Sequence, residues 1–272
     1  MIYKFRYLAP RTRGELHNLL AAYGPGAALL SGGTDLLVNI RNATVKPEYV
    51  VDVKKIDGFS RISWSDQEGL TIWAGATIND LLRNDKIRKH YPILAACAHD
   101  LASYQIRNRA TLIGNVANAS PCSDMAPALL CLHAQAVISS KHGERIVSFY
   151  DFFKGVKKTV IMPDEILERV IIPPSSVDAN GNYHKLKRIN GHDLAIVGVA
   201  LTKKDGAIKI GISSAAPTPI FVGGLKTTDS DDAIVATVMN AVNPISDLRC
   251  TKEYREHMLR VFVQRLLKEV QE

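Results

Sequence analysis

The first 175 residues alternate short apolar runs of strand type with short helical faces. Leu16, Leu19, Leu20 and Tyr23 share one side of a helix. Its start carries Thr12-Arg13-Gly14-Glu15, the spacing of a capping box, and Gly24 stops it. Residues 28–31 form a short buried strand ending in a glycine-bearing loop, after which Thr34 is placed to cap an apolar turn. The β-branched run at 49–53 and the run at 70–74 predict further strands. Thr77-Ile78-Asn79-Asp80 starts a short helix, and Pro92 opens another to about residue 102. Residues 124–133 read as a helix, 135–139 as a strand, and 165–172 as a strand closed by Pro173-Pro174. The polar, turn-rich segment 175–182 marks a domain boundary. Beyond it the pattern changes to strands at 184–189, 194–202 and 207–214. Lys204-Asp205-Gly206 is a hairpin signal between the last two. Helices follow at 232–241 and 252–270, the latter mixing core and solvent faces through Met258, Val261, Phe262, Arg265, Leu266 and Val270. The class is α+β: a domain over 1–175, then a smaller one over 176–272 with an antiparallel sheet backed by helices.

Composition adds mainly exclusions. With 272 residues, 46% hydrophobic and 22% charged, the chain has the make-up of an ordinary globular protein. No run approaches the roughly 20 apolar residues of a membrane span. The start, Met1-Ile2-Tyr3-Lys4-Phe5-Arg6, lacks the apolar centre of a signal peptide, which predicts a cytoplasmic protein. The net charge of +7 raises nucleic acid or a membrane surface as partners. The basic residues are instead scattered among acids, as in Lys203-Lys204-Asp205 and Lys252-Glu253-Tyr254-Arg255-Glu256, so neither is expected. Cys97, Cys122, Cys131 and Cys250 form no Cys-x-x-Cys pair, and their separation argues against a zinc or iron–sulfur site in this chain. The eight histidines include no His-Glu-x-x-His, and there is no Gly-x-Ser-x-Gly elbow. His99-Asp100 and His192-Asp193 are adjacent only in sequence.

Two glycine-bearing loops carry the candidate chemistry. The first is Leu29-Leu30-Ser31-Gly32-Gly33-Thr34-Asp35-Leu36. The second runs from Arg109 through Thr111, Ile113, Gly114, Asn115, Asn118 and Ser120 to Asp124. Glycine lets backbone approach a ligand and lets successive N–H groups point one way. Ser, Thr, Asn and Asp add short-range hydrogen bonds. One such loop suits one anionic group; two suit a long ligand with a diphosphate at its middle. The first loop is neither a Gly-x-Gly-x-x-Gly fingerprint nor a P-loop.

These loops resemble the FAD-binding, or medium, subunits of the molybdenum hydroxylases (xanthine dehydrogenase, carbon monoxide dehydrogenase and 4-hydroxybenzoyl-CoA reductase). That family carries an Ala-Gly-Gly-Thr-Asp-Leu-like loop, matched by residues 31–36. It also carries Arg-Asn-x-Ala-Thr-x-Gly-Gly-Asn-x-x-x-Ala-Ser-Pro-x-x-Asp, matched by residues 107–124. A third motif is matched by Tyr183, Lys185, Arg188, Asp193, Ala195 and Val197, and Tyr254-Arg255-Glu256-His257 resembles the family's last helix. The resemblance implies the FAD-binding fold of p-cresol methylhydroxylase (PCMH) type, in two α/β subdomains, followed by a small α+β domain. It implies noncovalent FAD, with the backbone of 29–35 and 111–115 on the diphosphate and ribityl chain. Asn118, Ser120 and Asp124 would reach diphosphate or sugar hydroxyls, and Leu101, Leu167 and Lys185 would complete the site, the last two at the flavin end. Ile113 stands where the family has a glycine, so that position is expected to be extended or to change the ligand's approach. The cysteine insertion of the 4-hydroxybenzoyl-CoA reductase branch is missing, so no cluster is expected here.

The function implied is electron transfer, with no catalytic side chain of its own and no metal ligand. Substrate is oxidised at a molybdenum–pterin cofactor on a large partner chain, and electrons cross 2Fe-2S clusters on a small partner chain. They reach FAD here and pass to NAD or another acceptor. A self-contained FAD oxidoreductase of the same superfamily is the alternative, and a basic nucleic-acid or scaffold protein is the non-enzymatic rival.

Overall fold

Parallel pairing organises the start of the chain. β1 (Arg6–Leu8), β2 (Ala27–Leu30) and β3 (Tyr49–Asp52) form a sheet in the order β1-β3-β2, with both outer strands parallel to β3. α1 (Arg13–Tyr23) crosses from β1 to β2 and buries Leu16 and Leu20. Its cap is half of the expected box. The Thr12 hydroxyl accepts the Glu15 N–H at 3.2 Å, but the Glu15 carboxylate receives Arg11 N–H at 2.7 Å instead of Thr12 N–H. After β2, the loop enters α2 (Leu36–Arg41) without a side-chain cap. Thr34 does not take that part; the turn closes by backbone bonds from Leu37 to Gly33 and from Asn39 to Asp35. The computed structural model describes residues 3–189 and 191–270.

The second sheet contains β4 (Ile62–Ser65), β5 (Gly69–Trp73), β6 (Gln135–Ser140) and β7 (Gly143–Ser148). A ribbon of β8 (Phe153–Gly155) and β9 (Lys158–Thr159) precedes its central strand, β10 (Ile166–Ile172). The order is β4-β5-β10-β6-β7, antiparallel throughout. Between β5 and β6 the chain makes a run of short helices: α3 (Ile78–Arg83), α4 (Asp85–His90), α5 (Pro92–Asp100), α6 (Tyr104–Arg107), α7 (Leu112–Ala117) and α8 (Ala126–Cys131). α3 carries a full capping box between Thr77 and Asp80. α8 is shorter than the helix expected over 124–133, and Asp124 lies ahead of it rather than capping it. α9 (Phe149–Phe152) follows β7.

The C-terminal sheet runs β11 (Asn180–Leu186), β12 (Val197–Lys204), β13 (Ala207–Ser213), β14 (Ile220–Lys226), each antiparallel to the next. β11 starts before residue 184 because Asn180 to Asn182 pair with Lys203 to Leu201, drawing the polar segment into the ladder. β12 starts after 194 because Ile196 N–H closes a loop back to the Leu186 carbonyl at 2.8 Å. Asp205 and Gly206, at φ 48° and 75°, make the two-residue turn between β12 and β13. α10 (Asp231–Ala241) and α11 (Lys252–Glu269) back this sheet. α11 buries Leu259, Phe262, Val263, Leu266 and Leu267, one stripe at i, i+3, i+4, i+7, i+8. Each such side chain contributes about 1.5–3 kcal/mol on burial. One apolar core lies under the first two sheets and extends into Tyr183 and Ala200; another fills the space between the third sheet and α10 and α11. Among the described residues no helix is long and apolar enough to cross a membrane.

Candidate functional site

The two glycine-bearing loops, 80 residues apart in sequence, meet side by side. Ser31 follows β2 and donates its hydroxyl hydrogen to the Ala74 carbonyl at 2.6 Å; its oxygen lies 2.9 Å from the Thr111 hydroxyl. The backbones touch as well. A Cβ on Gly32 would stand 2.2 Å from the Arg109 carbonyl oxygen, so only glycine allows this approach. Gly33 follows at φ 76° and turns the chain into α2. Leu29, Leu30, Ser31, Gly32, Gly33 and Thr34 are all half-buried, Leu36 too, while Asp35 is exposed.

Thr111 is the N-cap of α7 and accepts the Gly114 N–H at 2.9 Å. The earlier amides of that turn have no acceptor within the helix. Ile113 is second in this helix, not extended, and its side chain is 4% exposed in the core. A Cβ at this position is therefore accommodated by the core. The Asn115 side-chain carbonyl accepts the Ser123 hydroxyl at 2.6 Å and Met125 N–H at 3.2 Å, folding the second loop onto itself. Asn118 accepts the Lys157 ammonium at 2.8 Å, and Ser120 accepts Cys122 N–H at 3.2 Å. Ahead of the loop, the Arg107 guanidinium gathers the carbonyls of His99, Leu101 and Ala102 at 2.9, 2.9 and 3.2 Å. Its motif position is thereby explained by backbone folding.

Asp124 and Lys185 meet between the two halves of the molecule. The Lys185 ammonium lies 2.9 Å from one Asp124 oxygen and 3.0 Å from the other, and donates to the Asp100 carbonyl at 3.2 Å. The Tyr183 hydroxyl donates to Asp124 at 3.2 Å. The lysine side chain is 1% exposed and the aspartate 9%. Burial pushes the Asp124 carboxyl up, against the pull of the Lys185 ammonium and the Tyr183 hydroxyl. Burial, reinforced by the Asp124 charge, raises the Tyr183 phenol well above its ordinary value. Asp124 thus serves first as the counter-ion of a buried lysine. Leu101 and Leu167 are 5% and 1% exposed and sit in the core beneath this region, so neither side chain lines an open surface. Ser214, in the left-handed region at φ 65°, joins the second loop to β13 through its N–H on the Pro121 carbonyl at 2.8 Å.

One group was not among those singled out from sequence. Lys54, just after β3, donates to the Ser31 carbonyl at 3.0 Å and to Asp52 at 2.6 Å. A lysine two residues past a strand end carries no sequence signal for such a contact.

The donor set fits a dinucleotide. Backbone N–H groups at a glycine seam and a helix start suit a diphosphate, and a buried ammonium stands farther along. Comparison with known proteins agrees. Residues 3–175 match the family described as the FAD binding domain in molybdopterin dehydrogenase. The chain is 30% identical to the carbon monoxide dehydrogenase medium chain of Hydrogenophaga pseudoflava, over 97% of this chain and 96% of that one. It is 29% identical to the xanthine dehydrogenase FAD-binding subunit of Escherichia coli O157:H7, over 97% and 94%. A chain of the reconstituted CO dehydrogenase from Oligotropha carboxidovorans superposes with a TM-score of 0.91 at 30% identity, covering 99% of each.

Proposed function

The chain belongs to the family of FAD-binding domains in molybdopterin dehydrogenases, and we propose that it is the FAD-carrying electron-transfer subunit of a heteromeric molybdenum hydroxylase. The reading places it between 2Fe-2S clusters on a small partner chain and NAD or another acceptor. A large partner chain bears the molybdenum–pterin cofactor and the substrate. Residues 1–175 form the FAD domain and 176–272 the second domain, with the protein in the cytoplasm.

The observation that carries this reading is the Ser31–Thr111 contact, which turns two separate glycine loops into one continuous seam. Along it the backbone of residues 29–35 and 111–115 holds the diphosphate and ribityl chain, with Asn118 and Ser120 alongside. The reading assigns Lys185, whose charge is balanced by Asp124, to the flavin end. Bound FAD supplies the ability to exchange electrons singly on one side and in pairs on the other. The protein's own part is to bind and orient. The Thr111 cap fixes the direction of the α7 amides, and the Asp124 carboxylate keeps the Lys185 ammonium in place through the region where the two domains pack.

Expression beside its genomic neighbours tests this. A yellow complex of three chains is expected on gel filtration, and heat or acid should release free FAD into the supernatant. A flavin chain that elutes alone supports the self-contained oxidoreductase instead. Flavin that stays with the precipitated peptide contradicts noncovalent binding.

A further inference from the structure

Three strands of the first sheet send one polar chain toward the first glycine loop. Tyr7 on β1 donates its hydroxyl hydrogen to one Asp52 oxygen at 2.6 Å. The other Asp52 oxygen accepts Lys54 N–H at 2.9 Å and the Lys54 ammonium at 2.6 Å. That ammonium reaches across to the residue after β2 and donates to the Ser31 carbonyl at 3.0 Å. Asp52 is 4% exposed, and the Lys54 side chain is 27% exposed. Burial alone would raise the Asp52 carboxyl; the hydrogen bonds from Lys54 and Tyr7 outweigh it and hold the group below its ordinary range. The chain is therefore charged, tied at each link, and set where β2 and β3 deliver their C-terminal ends, the edge at which parallel sheets receive ligands.

A trans peptide is planar, and its C=O and N–H point in opposite directions. Holding the Ser31 carbonyl on Lys54 therefore turns the Gly32 N–H to the other side of that peptide. Meanwhile the Ser31 hydroxyl is held by Ala74 and Thr111. Ser31 is thus held at its carbonyl and at its hydroxyl. We propose that Lys54 is a positioning residue of the FAD site: by fixing the Ser31–Gly32 peptide, it aims the Gly32 N–H at the diphosphate. Asp52 neutralises the lysine, so its contribution is to direction more than to attraction. The inference rests on the assignment of the first loop to the diphosphate.

The test compares FAD with riboflavin, which keeps the ring and ribityl chain but has no phosphate. The full-length apo chain is titrated with each, and flavin fluorescence is followed. Lys54→Met should raise the Kd for FAD roughly tenfold, the scale of one charge-assisted hydrogen bond, and leave riboflavin unchanged. Lys54→Arg, which can still span Asp52 and the Ser31 carbonyl, should recover most of the loss. Unchanged FAD affinity in Lys54→Met overturns the proposal, as do equal losses for the two flavins. If Lys54→Met fails to fold, Tyr7→Phe loosens the same carboxylate at an exposed ring. A two- to threefold loss for FAD alone then supports the proposal, and equal losses or none overturn it. Wild-type chain that binds no FAD rejects the underlying assignment instead.

Discussion

Asp124 and Asp35 show how two residues of similar appearance in sequence part company in space. Each is an aspartate at the end of a glycine-bearing loop. Asp35 is exposed and makes no side-chain cap on α2. Asp124 is buried against a lysine whose side chain is 1% exposed. Replacing one partner of a buried pair leaves the other charge uncompensated, at a cost of about 3–5 kcal/mol. Asp124→Ala is therefore expected to lower urea stability by that order and to lose flavin on gel filtration. Asp35→Ala should do little to either. Equal flavin content per chain in the two variants would refute the ranking. Either loop alone reads as a turn or a helix cap; the loops were legible as a pair, in the same order of strand, loop and helix, carrying the family motifs. Lys54 was not, since its contact with Ser31 depends on β2 and β3 lying side by side. The role of Asp124 was legible only in part: its partner is 61 residues away, on β11.

Longer elements with a regular apolar pattern were read in kind, whereas α7 and α9, which bury apolar residues within four to six positions, were too short to show a period and were not read. β7 is an edge strand, Gly143–Ser148, with no buried residue along it and Ile146 60% exposed, so its sequence carries no core signature. β4 and the short α4 were likewise unread, and so was β14, whose Gly223-Gly224 interrupts a strand pattern. Backbone pairing with β6 along its whole length holds β7 in the sheet, and charge ties it to α1 and β10. Glu144 on β7 receives Arg169 of β10 at 2.7 Å and Arg13 of α1, while the fully buried Glu168 takes Arg13 at 2.7 Å and the Ser139 hydroxyl at 2.5 Å. Hydrogen bonds from Arg169 and then Arg13 outweigh burial and hold the Glu144 carboxyl down to about 2. A carboxyl depressed in the folded state stabilises it above the unfolded value, near 4.3, and loses that contribution as pH falls toward the folded one. Glu144→Gln should therefore melt below wild type at pH 6, and the gap should close between about pH 4.3 and 2. Melting curves by circular dichroism across that range check it; a gap that persists unchanged at the acid end would assign the effect to packing.

At the scale of the whole molecule, the site is divided between parts that pack through small residues. A Cβ on Gly211 of β13 would stand 2.2 Å from the Pro127 carbonyl of α8, so the third sheet lies directly against the helix that follows the second loop. The same approach brings Tyr183 and Lys185 onto Asp124. On the proposed function, this arrangement suits a cofactor held along a seam and read at one end. Cys97 and Cys131 are buried in the core, burial pushing both thiols up, Cys131 to about 12. Cys122 contacts the Arg249 guanidinium at 2.9 Å. Among the described residues, no three His, Cys, Asp or Glu side chains are grouped to hold a metal. If the chain is one subunit of a larger enzyme, then purified alone with FAD it should not oxidise purines, aldehydes or similar compounds. It should still carry electrons from dithionite or a reduced viologen to a dye, because that needs only an accessible flavin. Adding the large and small partner chains should restore substrate oxidation, and stripping FAD from this chain should abolish transfer to the acceptor. The measurement is a substrate-and-dye assay on the single chain with its metal content determined in parallel. Turnover of an organic substrate by metal-free chain would move the function to a self-contained flavoenzyme, with its substrate bound where the third sheet meets the second loop.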